Sequence, residues 1–255
     1  MQPMEPGIEA PPARTSFAAA ARLAQRKILR SLRHKGYSET ARLVLYNCWQ
    51  LLRSRFARRR DRAMPDPLDL EWGTDTAQVV EQGELEVDSP NHAFAVRYQA
   101  TPPEAFQAMM AALDIRFEDY TFVDIGSGKG RALLLAADYP FRAIAGVEFS
   151  PLLHRIAADN IEKRRPAFRA CRDVASIRAD AAVFQLPQTP LVLYFYHPFD
   201  RPVMEKVAEN IRASLAGCPR SVYIVYFNPV CGDTLERNGQ FAPLHRGRDF
   251  TIYRN

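Results

Sequence analysis

Residues 120–149 read YTFVDIGSGKGRALLLAADYPFRAIAGVEF, and this stretch decides the fold. Tyr120 to Ile125 is a short apolar run rich in β-formers, which predicts a buried strand. It runs into Asp124-Ile125-Gly126-Ser127-Gly128-Lys129-Gly130. Arg131 to Asp138 then carries Leu133, Leu134, Leu135, Ala136 and Ala137, which predicts a helix closed by Pro140. Arg142 to Val147 reads as a second strand with Glu148 at its end. Strand, glycine turn, helix, strand and acid make the first half of a nucleotide-binding α/β unit.

The glycines allow a tight turn and let backbone N–H groups approach a ligand with no Cβ in the way. The helix N-terminus behind them favours negative charge. Glu148, at the tip of the next strand, can accept both hydroxyls of a ribose. A Walker loop needs Gly-x-x-x-x-Gly-Lys followed by Ser or Thr; here Gly130 follows Lys129 and Val123 stands at the first Gly position, which rules it out. A dinucleotide fingerprint needs Gly-x-Gly-x-x-Gly, and Arg131 occupies its third Gly position. What remains is acid-x-Gly-x-Gly-x-Gly followed by an acid after strand two; a purely structural Gly-rich turn is the alternative.

Asp124 through Glu148 resembles the class I S-adenosylmethionine-dependent methyltransferases. The resemblance implies a doubly wound, mostly parallel seven-stranded Rossmann-like α/β sheet ending in an antiparallel hairpin. It implies S-adenosyl-L-methionine as cofactor, with the backbone of Gly126, Ser127, Gly128 and Gly130 facing the amino-acid moiety and Asp124 helping to hold its ammonium. Asp124-Ile125-Gly126-Ser127-Gly128 and Gly146-Val147-Glu148 look most like the non-SET histone-lysine methyltransferases and the bacterial proteins similar to them. Tyr98-Gln99-Ala100-Thr101-Pro102 resembles the stretch that in such enzymes closes a Tyr and a Ser or Thr over the methionine end; Tyr98 also reads as an aromatic plug under the loop. The likeness runs from about residue 98 to the C-terminus.

Further along, Ser150-Pro151 predicts a capped helix over 151–164. Phe149 suits either stacking on a purine or the core. Val174 to Ala179 reads as strand three. Asp180 follows it, where the family commonly bonds the adenine amino group; an Asx turn is the structural reading. Leu191 to Tyr196, LVLYFY, is the central fourth strand. It ends in His197-Pro198-Phe199-Asp200, where amine methyltransferases carry Asn-Pro-Pro-aromatic or a related motif. His replaces Asn here, so the acceptor type stays open. His197 titrates near neutrality; it suits taking a proton from the acceptor, hydrogen-bonding it, or satisfaction by backbone at a strand end. Tyr194, Tyr196, Pro198 and Phe199 are candidates for the acceptor wall. Strand five, Ser221 to Phe227, and two closing strands around Gly247 complete the sheet.

The expected reaction is an SN2 transfer to an unidentified nucleophile, with a lean to a lysine amine on a protein. A small-molecule or glycan acceptor is the rival enzyme reading. The rival outside enzymes is an inactive cofactor-binding module. No metal is required.

The 255 residues suit one α/β domain with an appendage: a tail over 1–16, a basic helical extension over 17–63, a linker and lid over 64–101, and the methyltransferase-like domain over 102–255. Up to Met64 there are 14 Lys and Arg against 4 Asp and Glu; with a total of +5, the remainder is near −5. The basic character therefore belongs to the N-terminal segment. Leu45, Trp49, Leu52 and Phe56 share one helical face there. The segment reads as a helical cap with a solvated basic face, or as a dock for an acidic partner or an anionic membrane surface; no nucleic-acid motif is present. No run reaches the roughly 18 apolar residues of a membrane span. Four scattered cysteines without Cys-x-x-Cys argue against disulfides and a zinc site and fit a reducing cytoplasm.

Overall fold

The computed structural model describes residues 66–78, 80 and 98–255. The N-terminal segment expected to form basic helices and most of the expected lid, 81–97, lie outside the described residues, so the readings placed on them stand as expectations. α1 is Pro67–Trp72 and α2 is Pro103–Ala111. Then come β1 (Thr121–Ile125), α3 (Arg131–Ala136), β2 (Ala143–Glu148), α4 (Pro151–Arg164) and β3 (Val174–Arg178). β4 (Leu191–Tyr196), α5 (Arg201–Gly217), β5 (Val222–Phe227), α6 (Asp233–Glu236), β6 (Ala242–Arg246) and β7 (Phe250–Arg254) complete the chain.

The seven strands form one sheet in the order β3-β2-β1-β4-β5-β7-β6. The first five are mutually parallel, and β7 pairs antiparallel with both β5 and β6. This is the doubly wound sheet with a C-terminal antiparallel hairpin that the sequence leads one to expect. Strand order reverses between β1 and β4, the place where open α/β sheets bind ligands beyond the strands' carboxyl ends.

Side-chain alternation sorts the core into two layers. Phe122, Ile144, Val192, Tyr194 and Val225 face α2 and α3, with Phe106, Met109, Leu133 and Leu134 against them. Val123, Ile125, Leu193, Phe195 and Ile224 face α5, where Val203, Met204, Val207 and Ile211 pack. Tyr194 and Phe195 therefore fall on opposite faces, as expected. α3 is buried on every side, which explains its apolar run Ala132–Ala136 after the buried Arg131. Pro at the first turn opens α1, α4 and α5, and Ser150 caps α4 through its hydroxyl, which accepts from the Leu153 N–H.

Candidate active site

At the switch point the chain turns through three left-handed glycines: Gly126 (φ +80°), Gly128 (φ +54°) and Gly130 (φ +84°). Two of them are required by close neighbours as well. A Cβ on Gly126 would lie 2.5 Å from Pro198 Cβ, and one on Gly128 2.0 Å from the Tyr98 ring. The segment after β4 and the residue closing the lid thus both rest directly on the loop. Gly130 stands off the cleft and starts α3 against Ala157.

The loop N–H groups are directed inward. Gly126 N–H and Ser127 N–H both donate to Val147 O (2.9 and 3.1 Å), and Gly130 N–H donates to Ser127 O (2.9 Å). Gly128 N–H donates to Glu148 Oε2 and Ser150 N–H to Glu148 Oε1, each at 2.8 Å. These contacts leave little for an anion. Instead the loop frames two carboxylates. Asp124 is buried and accepts no hydrogen bond from the described residues; burial, and then the charge of Glu148, push its pKa well above the ordinary carboxylate value. Burial raises Glu148 to about 7, against the opposing N–H bonds of Ser150, Gly128 and Phe149.

The cations nearby are engaged elsewhere. Lys129 is buried and pairs with Asp75 at 2.8 Å. Arg131, also buried, donates from Nε to Thr76 Oγ1 and from Nη2 to Asp66 (2.8 Å), with Asp69 at 3.5 Å. Asp69 in turn accepts from Thr74, Thr76 and Ala77, and Asn160 bridges Asp75 to the Lys129 carbonyl. Residues 66–78 thereby form a strap across the glycine loop. The Tyr98 hydroxyl donates to Thr76 O at 2.6 Å, and its backbone N–H donates to Val80 O. Sequence reading missed the strap. The available signals were Asp66-Pro67, a helix-opening pair, and two basic residues bracketing Gly130 on a helix too apolar to expose them.

A cleft of about 600 Å³ opens over these residues. It brings together Tyr98, Thr101, Asp124, Gly126, Ser127, Gly128, Glu148, Phe149, Tyr194, Tyr196, His197, Pro198 and Phe199 from the sequence reading, with Gln99, Arg131, Ala132 and Leu153 besides. Thr101 Oγ1 and Tyr194 Oη share a buried hydrogen bond of 2.9 Å. Asp180 lies apart from the main cleft. It borders a neighbouring apolar recess of about 320 Å³ lined by Phe149, Ala179, Phe199 and Val203. Its Oδ1 accepts from the Ala182 N–H, the Asx turn weighed above. His197 follows β4 with φ +37° and places Nδ1 3.3 Å from Tyr226 Oη; burial lowers its pKa, against a smaller opposing effect of Asp200.

A stability prediction follows from Glu148. Its folded-state pKa of about 7 exceeds the ordinary value of 4.5, so the folded state holds the proton longer than the unfolded one. This contribution is fully present below about pH 4.5 and is lost as pH rises through about 7. The shift corresponds to about 3 kcal/mol. Asp124, raised by burial, acts in the same direction; His197, lowered by burial, opposes it over part of the range; and Asp69, whose pKa is lowered, titrates below this window. Urea unfolding of the ligand-free protein should therefore show a lower midpoint at about pH 7.5 than at about pH 5. A midpoint equal or higher at the upper pH would contradict the burial of an ionising Glu148.

Among the described residues no helix is long and apolar enough to cross a membrane, and no group of three or more His, Cys, Asp or Glu is arranged to hold a metal. No family model matches the chain, and no curated protein sequence matches it. Solved structures with a similar fold include the YcgJ protein from Bacillus subtilis, at 14% identity over 49% of this chain and 50% of that chain, TM-score 0.38. The alignment thus spans half of that protein. An RNA methyltransferase from Salinibacter ruber, solved with S-adenosyl-L-homocysteine, aligns at 20% identity over 60% of this chain and 90% of that chain, TM-score 0.39. A ribosomal protein L11 methylase from Lactobacillus delbrueckii subsp. bulgaricus aligns at 13% identity over 59% and 75%, TM-score 0.42.

Proposed function

We propose that this chain is an S-adenosylmethionine-dependent methyltransferase. The observation that carries the reading is Asp124: a buried carboxylate at the switch point, bordering the cleft, with no hydrogen bond from the described residues and with Lys129 and Arg131 both committed to the strap. Such a group calls for a cationic partner. A pyrophosphate ligand would meet two carboxylates where it needs N–H donors, whereas a cofactor with an ammonium and a sulfonium meets opposite charge.

In this reading Asp124 receives the ammonium. Glu148 accepts the ribose hydroxyls with the lone pairs that its backbone bonds leave free. Phe149 flanks the purine in the apolar recess, where Asp180 accepts from the adenine amino group. Tyr98 and Thr101 close the methionine end. When bound, the cofactor supplies an electrophilic methyl group on sulfur. The chain's own part is to align a nucleophile with it at the wall formed by Tyr194, Tyr196, His197, Pro198 and Phe199. For the acceptor we favour an amine, since this wall offers phenols and an imidazole as hydrogen-bond partners.

Calorimetry of S-adenosylmethionine binding tests the reading. Micromolar binding to the wild type, weakened at least tenfold in Asp124→Ala, is the expected result. No binding to a folded wild type, or equal binding by both proteins, overturns it.

A further inference from the structure

We infer that Tyr226 sets the hydrogen position on His197, so that the imidazole meets the cleft as an Nε2–H donor and holds an oxygen of the methyl acceptor instead of removing its proton. What the donor serves rests on the methyltransferase reading. The hydrogen position itself stands on contacts within the chain.

β4 and β5 run in parallel with Tyr196 beside Phe227, so the residues that leave the two strands are neighbours. Both leave through left-handed backbone, His197 at φ +37° and Asn228 at φ +53°. Non-glycine residues keep such conformations only where surrounding contacts hold them. For His197 those contacts are Pro198 seated on Gly126 and Nδ1 seated 3.3 Å from Tyr226 Oη. Tyr226 is fully buried and its burial keeps the phenol protonated. Its single hydrogen needs an acceptor, and His197 Nδ1 is the side-chain partner in reach among the described residues. An Nδ1–H imidazole would leave the phenol hydrogen without an acceptor in the core, a state that buried hydroxyls rarely occupy. A neutral imidazole carries one N–H. With Nδ1 accepting, that hydrogen is on Nε2.

A group already protonated at the nitrogen available to the cleft does not serve there as a base. It recognises a carbonyl, carboxylate or similar oxygen carried by the acceptor molecule close to the nucleophile. An amine acceptor then has to reach the methyl group already neutral. Tyr226 is a positioning residue, one strand removed from the chemistry.

The test uses uniformly 15N-labelled full-length protein without cofactor at about pH 7.5, where the imidazole is neutral. Long-range 1H–15N correlation reads the tautomer of each histidine, and the His197→Gln spectrum identifies the His197 signals. The expected result is one Nε2–H tautomer with Nδ1 shifted as a hydrogen-bond acceptor, and in Tyr226→Phe a downfield move of the Nδ1 signal as that bond is lost. An Nδ1–H or doubly protonated ring in the wild type, or an Nδ1 signal unmoved by Tyr226→Phe, overturns the inference. If the variant does not fold, the wild-type ring alone decides: an Nε2–H tautomer with an acceptor-shifted Nδ1 supports the inference, and an Nδ1–H ring overturns it. Because no cofactor is present, failure here leaves the binding measurement standing, and failure of cofactor binding leaves the tautomer standing.

Discussion

Arg131→Met is expected to lower both the melting temperature and the affinity for S-adenosylmethionine, because the guanidinium, on the wall of the cleft, holds the strap in place. The substitution keeps most of the apolar stem in a helix with no exposed face and deletes the guanidinium. Asp69 is then left near-buried, at 12% side-chain exposure, without its cation; Asp66, at 28%, is partly hydrated. Removing one partner of a buried pair costs about 3–5 kcal/mol, and the partial hydration here reduces that to about 2–3 kcal/mol. At about 2–4 °C per kcal/mol for a domain of this size, the melting temperature should fall by about 4–12 °C. The strap also supplies Thr76 O to the Tyr98 hydroxyl, so its release frees the ring that lies on Gly128. Cofactor affinity should drop by roughly tenfold, the equivalent of one lost hydrogen bond. Scanning calorimetry and titration calorimetry read the two effects. An unchanged melting temperature would mean that the strap contributes nothing to the fold, and unchanged affinity that Tyr98 is not part of the cofactor site.

The second large effect concerns Glu148. Glu148→Ala is expected to weaken S-adenosylmethionine binding by about a hundredfold or more, since two hydrogen bonds to a charged group, at about 1.5–3 kcal/mol each, are lost. Glutamine should not rescue it. Both carboxylate oxygens accept backbone N–H groups, from Gly128 and Ser150, so an amide would turn its NH2 towards one of them. The ligand-free stability moves differently. Above pH 7 the wild type buries an ionised carboxylate there, and its removal offsets the lost backbone bonds; the melting temperature of Glu148→Ala at about pH 8 should stay within about 4 °C of wild type. Loss of binding with the fold retained separates a site residue from a structural one. Binding within threefold of wild type would remove Glu148 from the site.

The fold was legible because its central strands are apolar on both faces. TFVDI, LVLYFY and VYIVYF can only be buried strands, and Asp124 and Glu148 are conspicuous as acids at the ends of such runs. The three glycines were legible as a turn, though Gly130 works under Ala157 and not at the cleft. The strap was not legible. It is held by ion pairs between residues 54 to 65 positions apart, which leave no periodic trace in an otherwise irregular stretch. Tyr226 was hidden for a related reason. Within β5 it reads as one more strand aromatic, and its nearness to His197 comes from the order of β4 and β5 in the sheet, which neither segment encodes alone.

The inward direction of the loop N–H groups has a consequence for competition. Adenine nucleotides share the adenosine half of the proposed cofactor, and a pocket that recognised only that half would be exposed to all of them. Here the far end of the same pocket presents Asp124 and Glu148 to whatever hangs from the ribose. A polyphosphate chain would bring negative charge beside two carboxyl groups that already resist ionising in a poorly solvated space, with the loop amides already taken by Val147, Ser127 and Glu148. In the proposed site the glycine turn would thus act as a charge filter: it would admit an adenosine that carries a cationic tail and reject one that carries an anionic tail, with discrimination coming from exclusion of the wrong ligand as well as attraction of the right one.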